Sequence, residues 1–201
     1  MSDDRRIAAY YDARVDEFGH DPRAVDASSQ ASLDVRYRSL SAVADLSGKR
    51  VLEVGCGFGD LGAYIAARHE GVRYRGVDLS PRMVEEGRRA HPGLDLEVGN
   101  VLALPPRQDY DIVLAQGIFY LLREDPEARV RELVTQMFAL ASEAVALTAM
   151  STWAAEPDPD EYQLDPALAV AIGRSLTKAV VLRHDYHPAD LTLYLYRRDW
   201  T

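Results

Sequence analysis

From Ser47 onward the chain alternates short apolar runs with amphipathic segments, the pattern of a parallel sheet covered by helices. Strands are expected at residues 50–54, 74–77, 94–98, 111–115, 144–149, 179–183 and 191–196. Only HDYHPAD separates the last two, and a parallel crossover needs a dozen or more residues, so this pair must be antiparallel. The expected fold is α/β: a doubly wound, seven-stranded, mostly parallel sheet ending in an antiparallel hairpin. Its ligands should sit beyond the carboxyl ends of the strands.

Two helices are expected ahead of this core. Ile7, Tyr10, Tyr11, Val15 and Phe18 fall on one helical face, and Leu33, Tyr37, Leu40 and Ala44 on another. Within the core, Ser80 and Pro81 mark a helix start, a capping hydroxyl followed by proline at the first helical position. A helix near 126–141 gathers Val130, Leu133, Val134, Met137 and Phe138 on one face. The acidic stretch EPDPDEY, 156–162, reads as a loop, and the whole chain as one domain, 1–46 preceding a core at 47–201.

Glycines at 55, 57 and 59, inside VLEVGCGFGDLG, let the chain turn sharply from the first strand and bring bare backbone against a ligand. Counted from Gly55, the dinucleotide fingerprint G-x-G-x-x-G fails, because Asp60 stands in the third glycine's place. A P-loop fails too, since no Gly-Lys-Ser/Thr follows. Glu53 and Asp60 flank the turn, and at ~4 Å and an effective dielectric of ~20 each would repel a pyrophosphate charge by about 4 kcal/mol before screening. A cationic ligand suits two carboxylates better. S-adenosylmethionine (SAM) carries an ammonium and a sulfonium, and Asp78, 19 residues beyond Gly59, is placed to accept both ribose hydroxyls.

These segments resemble the class I SAM-dependent methyltransferases over roughly residues 48–201. VLEVGCGFGDL is similar to that family's first motif, GVDLSPRMVEEGR to its second, LEVGNVLALP to its adenine-contacting segment and DYDIVLAQGIFYLL to its fourth-strand motif. The resemblance implies SAM as cofactor, S-adenosylhomocysteine as product, and methyl transfer to an acceptor. It further implies that Glu53, Gly55, Cys56 and Gly57 surround the methionine moiety, that Asp78 holds the ribose, and that Leu79 and Met83 pack the adenine. Asn100 and Val101 face the adenine edge, Asn100 standing where the family often has an acid. Gln116 lies where the methyl group emerges. The N-terminal helices are expected to fold over the cofactor as a lid, with Tyr11 closing the pocket.

Other residues admit two readings. Cys56 fits as a small side chain between glycines, with no basic neighbour to activate it. His184 and His187, in the turn of the final hairpin, have the spacing of a metal pair but no partnering ligand, so no metal is expected. Either is a candidate general base, since that turn follows a strand whose carboxyl end faces the site. Tyr120, Trp153 and Tyr162 are candidates for the acceptor pocket, and plain packing explains the last two equally well. The loops at 118–123, 151–164 and 184–190 should shape that pocket. His20, His69 and His91 read as solvated or capping residues, and Arg36, Arg129 and Arg131 as surface charges, with Arg36 able to reach a ligand if its helix forms the lid.

Charge narrows the partners. With 32 acids against 23 bases, the net charge of −9 works against phosphate backbones and anionic membranes, and the fourth-strand segment lacks the Asn/Asp-Pro-Pro-Tyr signature of enzymes that methylate nucleic-acid amino groups. Cys56 is the only cysteine, which excludes an intrachain disulfide framework and fits a reducing compartment. No basic, apolar leader opens the chain and no apolar run approaches the ~20 residues needed to span a bilayer, so a cytoplasmic location is expected. Lys49 and Lys178 are the only lysines among the 23 bases, an arginine bias expected of a GC-rich bacterial gene. The leading expectation is a small-molecule methyltransferase of metabolite tailoring. A SAM-binding protein that transfers no methyl and an NAD(P)-linked enzyme are the alternatives.

Overall fold

The computed structural model describes residues 2–155, 158 and 160–198. Residues 156, 157 and 159 of the expected acidic loop lie outside them. Two helices, α1 (Asp3–Phe18) and α2 (Gln30–Ser41), are joined through a short 3-10 turn at Pro22–Val25. Then follow β1 (Arg50–Val54), α3 (Asp60–Ala66), β2 (Arg73–Asp78), α4 (Pro81–Ala90), β3 (Asp95–Val98) and β4 (Tyr110–Gln116). The remainder is α5 (Pro126–Leu140), β5 (Ala141–Met150), α6 (Pro166–Leu176), β6 (Ala179–Arg183) and β7 (Asp190–Tyr196).

The strands form one sheet in the order β3-β2-β1-β4-β5-β7-β6, parallel except for β7, which is antiparallel to both β5 and β6. This is the doubly wound topology with a terminal hairpin that the alternating pattern and the short HDYHPAD turn require. Each strand sends alternate side chains to opposite faces. Leu52, Val54, Val113, Val145 and Leu193 pack with α5 and α6, while Val51, Ile112, Leu114 and Ala146 pack with α2 and α3. Leu33, Tyr37 and Leu40 of α2 and the expected face of α5 are buried, whereas Ala44 lies past the end of α2 and is half-buried; Ser80 Oγ accepts from Met83 N at 3.0 Å as the predicted cap of α4.

Helix α1 runs across the carboxyl ends of the strands and is fastened by polar contacts along its length. Asp3 accepts from the backbone of Arg123 and Glu124, Asp4 contacts Asn100 and Arg129, and Asp12 accepts from Ser80 Oγ at 2.6 Å. Helix α2 lies on the sheet, where Ser39 and Thr192 hydroxyls meet at 2.8 Å in the interior and Tyr194 OH donates to Ser39 O. None of the described helices is long and apolar enough to cross a membrane.

Candidate active site

Beneath α1, beyond the carboxyl ends of the parallel strands, lies a cavity of about 330 Å³. Glu53 to Gly57, Asp78, Leu79, Asn100, Val101, Gln116 and Met150 reach it from the ends of β1 to β5, Met83 from α4, and Asp190 from the start of β7. Tyr11, Val25 and Arg36 complete the wall from the N-terminal segment, and Tyr120 from the loop after β4. All the residues that the resemblance assigned to the cofactor therefore converge on one space. That result follows from topology, because every parallel strand delivers its next residue to the same edge.

The glycines allow this approach. Gly55 has φ +68, and a Cβ there would overlap Ile118 Cγ2. Gly62, in α3, accommodates the Tyr74 ring, since a Cβ would lie 2.5 Å from its Cζ. The seated ring lets Tyr74 OH donate to Glu53 Oε2 at 2.5 Å. Gly62 also completes a G-x-G-x-x-G spacing when counted from Gly57, so glycine spacing alone does not exclude a dinucleotide.

Charge discriminates more firmly than spacing, although differently from the two-acid argument. The wall carries seven carboxyl groups, of Asp4, Asp26, Glu53, Asp60, Asp78, Glu161 and Asp190, against two guanidinium groups, of Arg36 and Arg129. Several are already held. Arg129 pairs with Asp4 at 2.5 Å, Arg36 with Asp190 at 2.7 Å, and Arg14 with Asp26 at 2.7 Å. Asp60, expected as a free charge beside the glycines, is instead contacted by His20 and His91. Among the described residues Glu53, Asp78 and Glu161 have no cationic partner.

Burial pushes the Glu53 carboxyl up to about 8, against the lowering by the Tyr74 hydrogen bond, so at neutral pH it is mostly protonated until a cation arrives. Asp78 accepts from Gly57 N and Ser80 N, each at 2.8 Å. Burial raises it as well, opposed by these backbone donors. Gln116 Oε1 is buried without a hydrogen-bond partner among the described residues, an unmet acceptor that a ligand donor would satisfy. The Cys56 thiol is driven well up by burial, which makes it a poor nucleophile.

The structure separates other sequence-predicted residues from this site. Neither His184 nor His187 lines the cavity. His184 stacks with Trp153 at 5.2 Å, while His187 Nδ1 accepts from Ala189 N and lies 3.2 Å from Asp190. The hairpin turn folds back over its own strands, and only Ala189 and Asp190 reach inward. Trp153, 62% exposed, and Tyr162, packed on the α5 side of the core, also lie outside the lining. Tyr120 does line it: its hydroxyl donates to Asp26 Oδ2 at 2.8 Å and contacts Tyr11 OH. Arg36 and Arg129 are not surface charges, being the cavity's two cations. The Asn100 amide is also committed, its Oδ1 accepting from Leu102 N and its Nδ2 donating to Asp4. Asp4, Asp26, Met150 and Glu161 enter the lining without having been singled out. Met150 is delivered by the end of β5, whereas no local pattern marks Asp4, Asp26 and Glu161, whose placement depends on how α1, the turn after it and the loop after β5 fold back.

Comparison with known proteins places these residues in a family context. The family described as a methyltransferase domain matches residues 51–138. A fatty-acid O-methyltransferase of Mycolicibacterium smegmatis is 42% identical over 81 residues, covering 39% of this chain and 30% of that protein. A trans-aconitate 2-methyltransferase of Mycobacterium tuberculosis is 32% identical over 95 residues, 47% of this chain and 36% of that protein. The matches thus span about a third of these relatives' length. Among solved structures, a magnesium protoporphyrin IX methyltransferase of Synechocystis with bound SAM superposes with a TM-score of 0.73 at 17% identity, over 98% of each chain.

Proposed function

Given that residues 51–138 match the methyltransferase-domain family and that the chain has a class I methyltransferase fold, we propose that the protein is a SAM-dependent methyltransferase of a small-molecule acceptor. The observation that carries this reading is the acid-rich cavity, in which the carboxyls of Glu53 and Asp78 lack cationic partners among the described residues. A cofactor with an ammonium and a sulfonium suits that wall, and a pyrophosphate does not. When bound, SAM supplies an electrophilic methyl group on a sulfur that leaves readily.

In this reading Glu53 receives the ammonium and ionises, Asp78 accepts from the ribose, and Leu79 and Met83 flank the adenine. Gln116 Oε1 accepts from a donor near the transferred methyl. The chain's main contribution is alignment, and oriented reactants account for about 7–11 kcal/mol of such a barrier. Tyr11 and Tyr120 do not serve as bases, because burial raises both hydroxyls. Among the described residues no histidine lines the cavity, and Glu161, a lining carboxyl without a cationic partner, is the group placed to take a proton from the acceptor. Helix α1 acts as the lid, while α2 packs on the sheet and lends Arg36 to the cavity wall. An acid-lined cavity and a net charge of −9 favour a metabolite over a nucleic acid, and the lone, buried Cys56 suits the cytoplasm.

Two measurements test this. S-adenosylhomocysteine at about 100 times its Kd should raise the melting temperature by roughly 5–10 °C, with NADH giving no comparable rise; equal shifts would refute the cofactor. Turnover of SAM with an acceptor panel then separates a transferase from a protein that only binds it. Asp78→Ala should lower SAM affinity at least about tenfold, through lost charge-assisted bonds to the ribose and to Gly57 N. Unchanged calorimetric affinity would remove Asp78 from the site.

A further inference from the structure

Three polar side chains from separate segments meet at the edge of the cofactor cavity, whose wall Asp60 also lines. His20 follows α1, Asp60 opens α3 and His91 ends α4. His20 Nε2 lies 2.9 and 3.1 Å from the two Asp60 carboxylate oxygens, and His91 Nε2 lies 2.7 Å from Oδ1. One donor atom from each falls within 4.8 Å of the others. All three retain access to solvent, at 35%, 24% and 23% exposure.

From this arrangement we infer a transition-metal site built from two histidines and one aspartate, suited to Zn²⁺ or Co²⁺. Imidazole nitrogen and carboxylate oxygen are the donors such ions take, at bonds of about 2.0–2.2 Å, which puts tetrahedral ligands roughly 3.3 Å apart. The two imidazole–carboxylate separations need to open by only about half an ångström to reach that spacing. Imidazole positions are braced independently of a metal. The His20 ring packs on Phe58 at 4.5 Å, and His91 N–H closes α4 on Gly87 O at 2.8 Å. A second cavity, lined also by Asp34, Gln30 and Tyr64, opens onto the three donors and leaves room for a water as fourth ligand.

The bland alternative is a hydrogen-bonded cluster in which one carboxylate accepts from two neutral imidazoles. The two readings differ in what they predict. A bound ion links the end of α1 to α3 and α4, and so clamps the lid segment to the core at the Asp60 edge of the cofactor cavity. The site is independent of the cofactor reading, since none of its chemistry involves SAM.

Metal-free, untagged protein titrated with Co²⁺ should take up one ion per chain and develop the visible absorption of a low-symmetry, four-coordinate site, which Zn²⁺ then displaces. Free Zn²⁺ at about 100 times its Kd should raise the melting temperature by roughly 5–10 °C. His20→Gln and His91→Gln should each lose at least about tenfold in affinity, whereas His69→Gln and His184→Gln should bind as the parent does. Absence of both the Co²⁺ spectrum and the Zn²⁺ shift in the parent overturns the inference and leaves the hydrogen-bonded cluster. So does uptake that survives in both His20→Gln and His91→Gln, whatever their stability.

Discussion

Glutamine in place of Glu53 should weaken SAM binding by about 2–3 kcal/mol, roughly 30- to 160-fold, while making the protein more stable in alkali. Both effects have one cause. The carboxyl sits in the interior with only Tyr74 OH bonded to it, and burial raises it to about 8 from an ordinary value of 4.5. Between those two values the folded chain holds a proton that the unfolded chain has released. The stability linked to that proton is fully present below about pH 4.5 and is lost as pH rises through about 8, a change on the order of a few kcal/mol. Glutamine has no proton to lose, so the variant's melting temperature should fall less over that window than the parent's. SAM binding to the parent at pH 7 should also release a proton, making the calorimetric enthalpy depend on the buffer, a dependence the variant lacks. Identical pH profiles, or unchanged affinity, would remove Glu53 from its proposed role.

Alanine at Gly87 should destabilise the fold by about 1–3 kcal/mol, a drop of several degrees in melting temperature. By helix propensity alone the change would stabilise α4 by about 1 kcal/mol. Packing reverses the sign. A Cβ at Gly87 would lie 2.5 Å from Phe58 O and 2.9 Å from Leu96 Cδ1. The first of these is backbone of the glycine turn, which cannot rotate away as a side chain can. Relief must shift either α4 or the turn that carries Gly57 and Gly59, so cofactor affinity should fall along with stability. Gly93→Ala is the control, since its Cβ would meet nothing within 4 Å. If the two variants melt together, the proposed clash is absent.

The strands were legible because alternating apolar runs admit few topologies, and the seven-residue hairpin turn dictated the direction of the last pair. The ends of β1 to β4 were legible for the same reason, since in a parallel sheet each strand's carboxyl end supplies the site. What escaped was whatever depends on segments folding back. The position of Asp4 follows from the path of α1 across the sheet, and the packing of His184 against Trp153, away from the cavity, follows from how the hairpin turn closes; neither leaves a periodic trace. Nothing in the local sequence marks Gly87 as a packing position, because its neighbour, Phe58, lies 29 positions away in the chain. The pairing of His20 with His91 was missed for that reason too: each looked like a helix-end residue, and only Asp60 between them gives the pair meaning.

The buried hydroxyl pair of Ser39 and Thr192 sets an order of assembly. Its partners are 153 residues apart, and Arg36 meets Asp190 at the same seam. Loop-closure entropy makes so distant a contact late in folding. Helix α2 thus has no finished surface to settle on until β7 has threaded between β5 and β6. A chain ended before residue 190 should therefore leave the Ser39 hydroxyl and the Arg36 guanidinium without these partners and hold α2 on the sheet less firmly than the full chain does.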